Sequence, residues 1–289
     1  MSNPFVIFTD SACDINPAIL SEWGVERVSL AFRFDHIDKD FLNDDMPIEE
    51  FYQNMRDGRV AKTNAVNSEA FRGLFEPALI AGNDILYLGF SSGLSTTYNQ
   101  AKLAAEDLAE IYPDRKIITI DSLSASAGFG LLVKLVVDKK NEGATLEETA
   151  AYAESLVPKM AHWFTVEDLV YLKRGGRVSP MVALVGGMLS IKPVLHMDDE
   201  GHLIKVTTAR GRKASLNALA DKLFESADDP ANGKIYISHG DCPDDAKYLA
   251  DTIRARGGNE VEIITHVGAV IGAHSGPGTM ALFFVAKQR

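Results

Sequence analysis

Residues Ser91–Tyr98, SSGLSTTY, concentrate hydroxyl groups between an apolar run and an alanine-rich stretch. Six of these eight residues carry a hydroxyl. The pattern predicts that a strand ends here and a helix begins, and the free N–H groups and dipole at a helix start favour negative charge. Capping of the helix by one serine would use one hydroxyl and leave the others unexplained. We therefore predict an oxyanion site for a carboxylate or phosphate, with Ser92 and Ser95 as donors.

Two further segments carry side chains that suit an anion. Thr63 lies in AKTN, after a glycine-containing turn and before a helix, although lone Lys-Thr pairs are common in loops. His274 lies in GAHSGPGT, where glycines allow close approach of the backbone to a ligand and the imidazole can donate to a carboxylate. Many single histidines are core residues, but the glycine, proline and serine around His274 favour a binding role.

A third segment, TDSACD, follows the first predicted strand, where α/β folds place ligands. Asp10 and Asp14 can serve site chemistry there, or they can cap turns and the following helix. The sequence leaves both interpretations open.

The segment LKRGGR places three cations within five residues of an acidic protein. A helix end capped by Gly175 explains Lys173 and Arg174, because cations are favoured at that end of the dipole. Arg177 lies beyond the glycines, and its planar guanidinium suits phosphate or carboxylate recognition.

Composition limits the classes of function. The chain has 289 residues, 46% of them hydrophobic, and a formal net charge of −11. This charge argues against general attraction to nucleic acid or to an anionic membrane. Cys13 and Cys242 form no CxxC pair, so neither a disulfide framework nor a zinc site is indicated.

Two segments bear on location. The start, MSNPFVIFTDSACD, lacks the basic and long apolar regions of a signal peptide, which predicts a cytoplasmic protein. Val267–Ala286 has no Lys, Arg, Asp or Glu, but it contains His274 and the helix-breaking SGPG. We interpret it as buried core.

The elements that must position these residues alternate between strands and helices, which predicts an α/β fold. The first half contains the predicted strands FVIFT, VSLAFRF, DILYLGF and KIITID, separated by helical segments. The second half contains a hairpin around Asp199-Glu200-Gly201, followed by the strands KIYISHG, VEIITHV and TMALFFVA. We predict two α/β domains, residues 1–158 and 159–289, with a cleft between them.

Taken in order, the motifs resemble the DegV family of bacterial fatty acid-binding proteins. They are TDSACD, DDMPIEEFYQNMRDG, AKTN, SSGLSTTY, IDS, LVYLKRGGRV, IKPVL with its DEG turn, ISHGD and GAHSGPGT. The resemblance implies a fatty acid tunnel with its head-group site at the domain interface. It also implies that the protein presents a long-chain fatty acid to a separate ATP-dependent kinase subunit, makes no acyl-phosphate by itself, needs no cofactor, and at most touches the membrane transiently.

By the same resemblance, the carboxylate contacts fall on Thr63, Ser92, Ser95 and His274, and the kinase contact on Arg174 and Arg177. Neutral hydroxyls, one histidine and backbone N–H groups can hold a carboxylate without an arginine or lysine salt bridge. This chain departs from the family at residues 64–67 and at Thr96, which bears on the fine geometry of the head group.

Two other functions remain open at this point. Ser92 or Ser95 with His274 could form a serine hydrolase acting on a lipid-like ester, although the chain has no G-x-S-x-G elbow. The oxyanion site could also hold a phosphosugar or a nucleotide. The apolar run Met181–Ile191 is a candidate tunnel wall or, equally, an ordinary core helix.

Overall fold

A computed structural model of the chain describes residues 3 to 178 and 190 to 289. Its strands are β1 (Phe5–Asp10), β2 (Val25–Val28), β3 (Ala31–Phe34), β4 (Phe41–Leu42), β5 (Ala61–Asn64), β6 (Asp84–Gly89), β7 (Ile117–Asp121), β8 (Met160–Thr165), β9 (Ile191–Met197), β10 (Leu203–Arg210), β11 (Ile235–His239), β12 (Val261–His266) and β13 (Met280–Val285). Its α-helices are α1 (Pro17–Glu22), α2 (Ile48–Arg56), α3 (Ser68–Ile80), α4 (Thr97–Ile111), α5 (Ser126–Asn141), α6 (Leu146–Leu156), α7 (Val170–Gly175), α8 (Arg212–Ser226), α9 (Pro243–Ala255) and α10 (Ala269–Ser275).

The strands form three sheets. The first has the order β2-β1-β6-β7 and is parallel throughout. The second has the order β10-β9-β8-β13-β11-β12 and is antiparallel except for the β11–β12 pair. The third, β4-β3-β5, is a small antiparallel sheet that carries Thr63. Since the carboxyl ends of β1, β6 and β7 share one edge, the loops that follow these strands gather there.

Helix α5 lies at the centre of the molecule. Residues 126–133 of this helix are all buried, which is the pattern of a helix surrounded by protein. A Cβ on Gly128 would overlap Phe283 of β13, and one on Gly130 would overlap Ile15. Both glycines therefore let α5 approach its neighbours closely, and α5 joins the elements of the first half to the six-stranded sheet.

The mixed α/β architecture is confirmed, and the predicted hairpin forms as β9 and β10. The proposed boundary at residue 158 separates the parallel sheet from the six-stranded sheet in sequence. It remains a prediction, because one apolar cluster runs through both halves and includes Phe8 as well as Phe283.

The prediction of a single strand VSLAFRF is wrong. The chain leaves the parallel sheet after Val28 and enters the small sheet at Ala31. Leu30 ends the first pairing because its N–H donates to the Ser11 hydroxyl at 2.9 Å and its carbonyl accepts from Asn43 N–H at 3.0 Å. Strand β8 was not predicted from the sequence either.

Of the two apolar segments interpreted from the sequence, the structure describes one in full and only the end of the other. The segment from Val267 to Ala286 forms α10 and β13, and most of its side chains are buried, as predicted. Within the described residues, no helix is both long enough and apolar enough to cross a bilayer. The candidate tunnel wall at Met181–Ile191 falls outside the described residues up to position 189.

Candidate functional site

A cavity of about 510 Å³ lies between the two halves of the chain. This volume falls in the range of roughly 300 to 1,000 Å³ that is typical of small-molecule pockets. Its apolar wall includes Phe90, Phe164, Leu172, Met197, Ile271 and Phe283. Its polar lining includes Thr63, Ser92, Ser95, Arg177 and His274. Five of the six residues predicted to bind the head group or the kinase therefore line one cavity, and Arg174 does not.

Thr63 and His274 meet across the two halves of the sequence. The Thr63 Oγ1 atom lies 2.8 Å from His274 Nε2. The other ring nitrogen, Nδ1, is buried and has no hydrogen-bond partner among the described residues. A proton on Nε2 avoids leaving a buried N–H unpaired, so the imidazole donates to the Thr63 oxygen. The Thr63 O–H is then free to donate to a ligand in the cavity.

Burial also keeps His274 neutral. Burial, and to a smaller extent the positive charge of Arg177, lowers the pKa of the imidazole to about 4. At neutral pH the ring is therefore a hydrogen-bond donor of fixed orientation and carries no charge.

In the serine loop, residues 91–97, some hydroxyls form hydrogen bonds within the protein and the Ser92 hydroxyl is exposed. Ser91 is buried and donates to the Gly201 carbonyl at 3.0 Å. Ser95 accepts from the Thr97 N–H at 3.2 Å and lies 2.9 Å from the Thr97 hydroxyl, so it bonds to the first residue of α4. If Thr97 donates to Ser95, the Ser95 O–H remains available to a ligand. Ser92 is exposed, and its hydroxyl has no partner in the described part of the chain.

The turn before β10 holds the serine loop in place. A Cβ on Gly93 would lie 2.8 Å from the carbonyl oxygens of both Glu200 and Gly201. Only glycine fits this approach without a shift of the backbone. The turn of the second half and the serine loop of the first half thus form one surface beside the cavity.

The two arginines of the LKRGGR segment have different surroundings. Arg174 is exposed, and its guanidinium lies 5.6 Å from the centre of the Tyr171 ring. Arg177 is half-buried and donates from Nε to the Leu94 carbonyl at 3.2 Å and from Nη1 to the Gly175 carbonyl at 2.5 Å. Arg177 lines the same cavity as His274, so a guanidinium lies near the predicted head-group residues. The helix-ending residue is Gly176, with φ at 68°, and not Gly175 as predicted.

The structure shows the surroundings of Asp10 and Asp14, for which the sequence left site chemistry and capping open. Asp10 is fully buried and accepts hydrogen bonds from Ala12 N–H, the Tyr87 hydroxyl and Phe90 N–H. It fixes the end of β6 just before the serine loop, and burial raises its pKa to about 6. This arrangement is structural capping.

Asp14 belongs to a polar chain that reaches the cavity wall. It accepts from Ser126 at 2.5 Å, and Ser126 lies 2.9 Å from the Ser238 hydroxyl. Both serines line the cavity, and sequence reasoning missed them. A usable signal existed for Ser126, since it follows strand β7 at the same sheet edge as the serine loop.

The geometry of a serine hydrolase is not assembled. His274 bonds to Thr63 rather than to Ser92 or Ser95, and no carboxylate orients its buried Nδ1 atom in the described residues. A histidine with a pKa of about 4 is also a weak general base at neutral pH. The hydroxyls of Thr63, Ser92 and Ser95 that line the cavity can donate hydrogen bonds to an anion.

Comparison with protein families gives the same result as the motifs. A family model described as "Uncharacterised protein, DegV family" matches residues 4–287. A DegV domain-containing protein of Clostridium perfringens is 39% identical over 286 residues, which cover 99% of this chain and 98% of that protein. A DegV domain-containing protein of Lactococcus lactis is 32% identical over 286 residues and 98% of both chains.

Three solved structures share the fold. A fatty acid-binding DegV family protein of Thermus thermophilus has a TM-score of 0.89 and 28% identity, covering 99% of this chain and 100% of that one. A DegV lipid-binding protein of Thermotoga maritima has a TM-score of 0.85 and 28% identity over 99% of each chain. The fatty acid kinase (Fak) B3 protein of Streptococcus pneumoniae, loaded with linoleic acid, has a TM-score of 0.85 and 25% identity, covering 98% and 99%.

Proposed function

The chain belongs to the DegV family, and from this premise we propose that it binds a long-chain fatty acid and presents the carboxylate to a separate ATP-dependent kinase subunit. The observation that carries the proposal is the cavity itself, in which neutral donors and an apolar wall face the same space. Among the similar proteins, one is described as fatty acid-binding and another, a fatty acid kinase B3 protein, is loaded with linoleic acid.

An acyl chain accounts for the apolar part of the lining. Burial of each methylene contributes roughly 0.8 kcal/mol, so a long chain supplies most of the affinity. This gain is kept only if the carboxylate finds hydrogen-bond donors, since an unpaired buried charge is costly. We assign the hydroxyls of Thr63, Ser92 and Ser95 to that purpose, and we assign His274 to the head-group site through the hydrogen bond that holds the Thr63 hydroxyl in place.

The proposed reaction needs little chemistry from this chain. A carboxylate oxygen is already ionised, so it attacks the γ-phosphorus of ATP on the partner subunit without a general base. The new bond joins the carboxylate oxygen to phosphorus, while the bond from phosphorus to the bridging oxygen breaks and ADP leaves. His274 and Thr63 orient the attacking group through their hydrogen bonds, and the cavity wall holds the acyl chain.

Mass spectrometry of an organic extract of the purified protein tests the ligand. We expect a long-chain fatty acid at close to one molecule per chain. Ligand-free protein that takes up no fatty acid when it is offered would overturn the proposal. Release of alcohol from an activated lipid ester would instead support the hydrolase interpretation.

The kinase contact is proposed to involve Arg174, which is exposed at the end of α7. Arg174→Ala should leave bound fatty acid in place and lower acyl-phosphate formation with the kinase, because an exposed charge steers association and not retention. The loss should resemble the effect of added salt, since exposed charges are screened over roughly 8 Å at physiological ionic strength. Lys102→Ala, which removes an exposed cation from α4, is the matched control. Equal turnover in both variants would exclude Arg174 from the contact.

A further inference from the structure

Three serines line the cavity without taking part in the proposed carboxylate site. Ser126 begins α5, Ser238 lies on β11 and Ser275 ends α10, and each of these residues is more than nine-tenths buried. We call them the inner serines. Hydroxyls bond only to polar atoms, so an alkyl chain that fills the cavity gains nothing from these three.

Ser238 lies among the apolar residues of the cavity wall. In the six-stranded sheet it is opposite Ala281, which is in turn opposite Phe164 on the next strand. Side chains that are directly opposite in paired strands share one face of the sheet, and all three of these residues line the cavity. Ser238 is therefore on the wall that contacts the acyl chain in the proposed complex.

Ser275 is held between this wall and the head-group residues. The Thr279 hydroxyl donates to the Ser275 carbonyl at 3.0 Å, and the Thr279 carbonyl accepts from the Gly240 N–H at 2.8 Å. Gly240 is two residues beyond Ser238, so these bonds hold Ser275 against the end of β11. Since Ser275 directly follows His274, the inner serines begin beside the proposed carboxylate site.

The hydrogen bonds of the inner serines leave one free acceptor and one free hydroxyl. The Ser126 hydroxyl donates to Asp14 at 2.5 Å, so Ser238 is the donor in its 2.9 Å contact with Ser126. The Ser238 oxygen keeps a lone pair but has no further proton to give. The Ser275 hydroxyl is buried and has no partner in the described part of the chain. A ligand hydroxyl both donates and accepts, so it can serve both serines, whereas a ligand carbonyl can use only Ser275.

We propose that the inner serines bind a hydroxyl group on the acyl chain, so that the preferred ligand is a hydroxylated long-chain fatty acid. This inference rests on the proposed function and narrows its ligand. Because consecutive Cα atoms lie about 3.8 Å apart, Ser275 is close to His274, and the hydroxyl belongs on one of the first carbons after the carboxylate. The 3-hydroxy fatty acids are the class that we assign to the cavity.

Titration of delipidated protein with three ligands of equal chain length tests the assignment. They are palmitate, 3-hydroxypalmitate and 16-hydroxypalmitate, which carries its hydroxyl at the far end of the chain. We expect the better-bound enantiomer of 3-hydroxypalmitate to bind about tenfold more tightly than palmitate, because it adds two hydrogen bonds. The 16-hydroxy compound should bind no more tightly than palmitate.

The double variant Ser238→Ala, Ser275→Ala should reduce the preference for 3-hydroxypalmitate to about twofold or less. Its affinity for palmitate should persist, because methyl groups suit an alkyl chain. Ser275→Ala alone keeps the test available if the double variant does not fold, and it should lose part of the preference. Ser215→Ala is the matched control, since Ser215 is buried, donates to the Arg212 carbonyl and lies outside the cavity lining.

Three results would overturn the inference while the fatty acid proposal stands. Equal wild-type affinities for palmitate and 3-hydroxypalmitate would mean that water or the protein itself serves the inner serines. An equal gain with 16-hydroxypalmitate would mean that the position of the hydroxyl is not recognised. A loss of both ligands in the variants would assign the serines to the shape of the cavity. Failure of the wild type to bind either palmitate or 3-hydroxypalmitate would overturn the fatty acid proposal as well.

Discussion

On strand β5, neighbouring residues face different surroundings. Thr63 reaches into the cavity, while Lys62 before it is exposed. Successive side chains of a strand point to opposite faces, so the lysine lies beside the head-group site in sequence but not in space. The proposed carboxylate therefore depends on a neutral hydroxyl and not on the adjacent cation.

Thr63→Val tests this because it removes the hydroxyl and keeps the branched shape. Loss of one hydrogen bond to a charged acceptor should weaken fatty acid binding by roughly 1.5 to 3 kcal/mol. Lys62→Gln should leave the affinity close to that of the wild type. Calorimetric titration of delipidated protein measures both, and a larger effect of Lys62→Gln would show that the head group lies elsewhere.

Asp14 makes stability depend on pH. Its pKa is raised to about 7, mainly by burial and in the same direction by Asp44, while the hydrogen bond from Ser126 and the charge of Arg27 act in the opposite direction. The unfolded carboxyl ionises near pH 3.9, so the folded state holds this proton longer. The contribution of Asp14 to stability is therefore fully present below about pH 4 and is lost as the pH rises to about 7.

Asp14→Asn removes this titration with little change of shape. We expect the variant to gain stability relative to the wild type as the pH rises from about 5 to about 8. Denaturant unfolding at several pH values gives the difference in the free energy of unfolding. A difference that stays constant over this range would mean that Asp14 is ionised in the folded protein throughout.

At the scale of elements, helices α7 and α10 interlock through glycines. A Cβ on Gly175 of α7 would overlap the Nδ1 atom of His274, and a Cβ on Gly276 after α10 would overlap the ring of Tyr171. His274 of α10 thus packs on Gly175, and Tyr171 of α7 packs on Gly276. The LKRGGR and GAHSGPGT motifs are two halves of one packing arrangement, and this arrangement sets the position of His274.

Substitutions at adjacent glycines separate packing from backbone strain. Gly175 has no positive φ, so Gly175→Ala adds only a methyl group, which must displace His274 and weaken its bond to Thr63. Gly176 has φ at 68° with open space around it, so Gly176→Ala should cost about 1 kcal/mol of stability with little effect on the ligand. We expect fatty acid affinity to fall in Gly175→Ala and to persist in Gly176→Ala, as measured by titration together with thermal unfolding. The opposite order would show that His274 is not the group that α7 positions.

These contacts also explain what the sequence could and could not predict. Local sequence signals were enough to predict β1, β6 and α3, because turn or capping residues lie at the ends of their apolar patterns. The split of VSLAFRF depends on Ser11 and Asn43, which are remote in sequence, so no local pattern reports it. The donors of the site were found from residue type, whereas the place of Arg177 in the cavity wall depends on its bond to Leu94, more than eighty residues away.

At the scale of the whole molecule, the Arg289 side chain joins three separate segments, at Ser124, at Val157 to Met160 and at Asp198. Its guanidinium donates to the carbonyls of Val157 at 2.8 Å, Met160 at 3.1 Å and Asp198 at 3.2 Å, and it lies 3.4 Å from the Ser124 hydroxyl. Two of these acceptors flank the predicted domain boundary, and Asp198 begins the turn that packs on the serine loop. One side chain thus links the boundary between the halves to the loop beside the cavity.

Arg289→Ala should therefore act on both stability and binding. Loss of these bonds leaves partly buried carbonyls without a donor, each at a cost of roughly 1 to 3 kcal/mol where water cannot replace the guanidinium. We expect a lower thermal midpoint, faster proteolysis near residues 157–160, and weaker fatty acid retention because the turn at Asp198 loses an anchor. Lys287→Ala removes an exposed cation two residues away and should change none of these. A variant that unfolds at a lower temperature but keeps its fatty acid affinity would show that Arg289 does not position the serine loop. The contacts of Ser91 and Gly93 with the turn would then be enough to hold the loop.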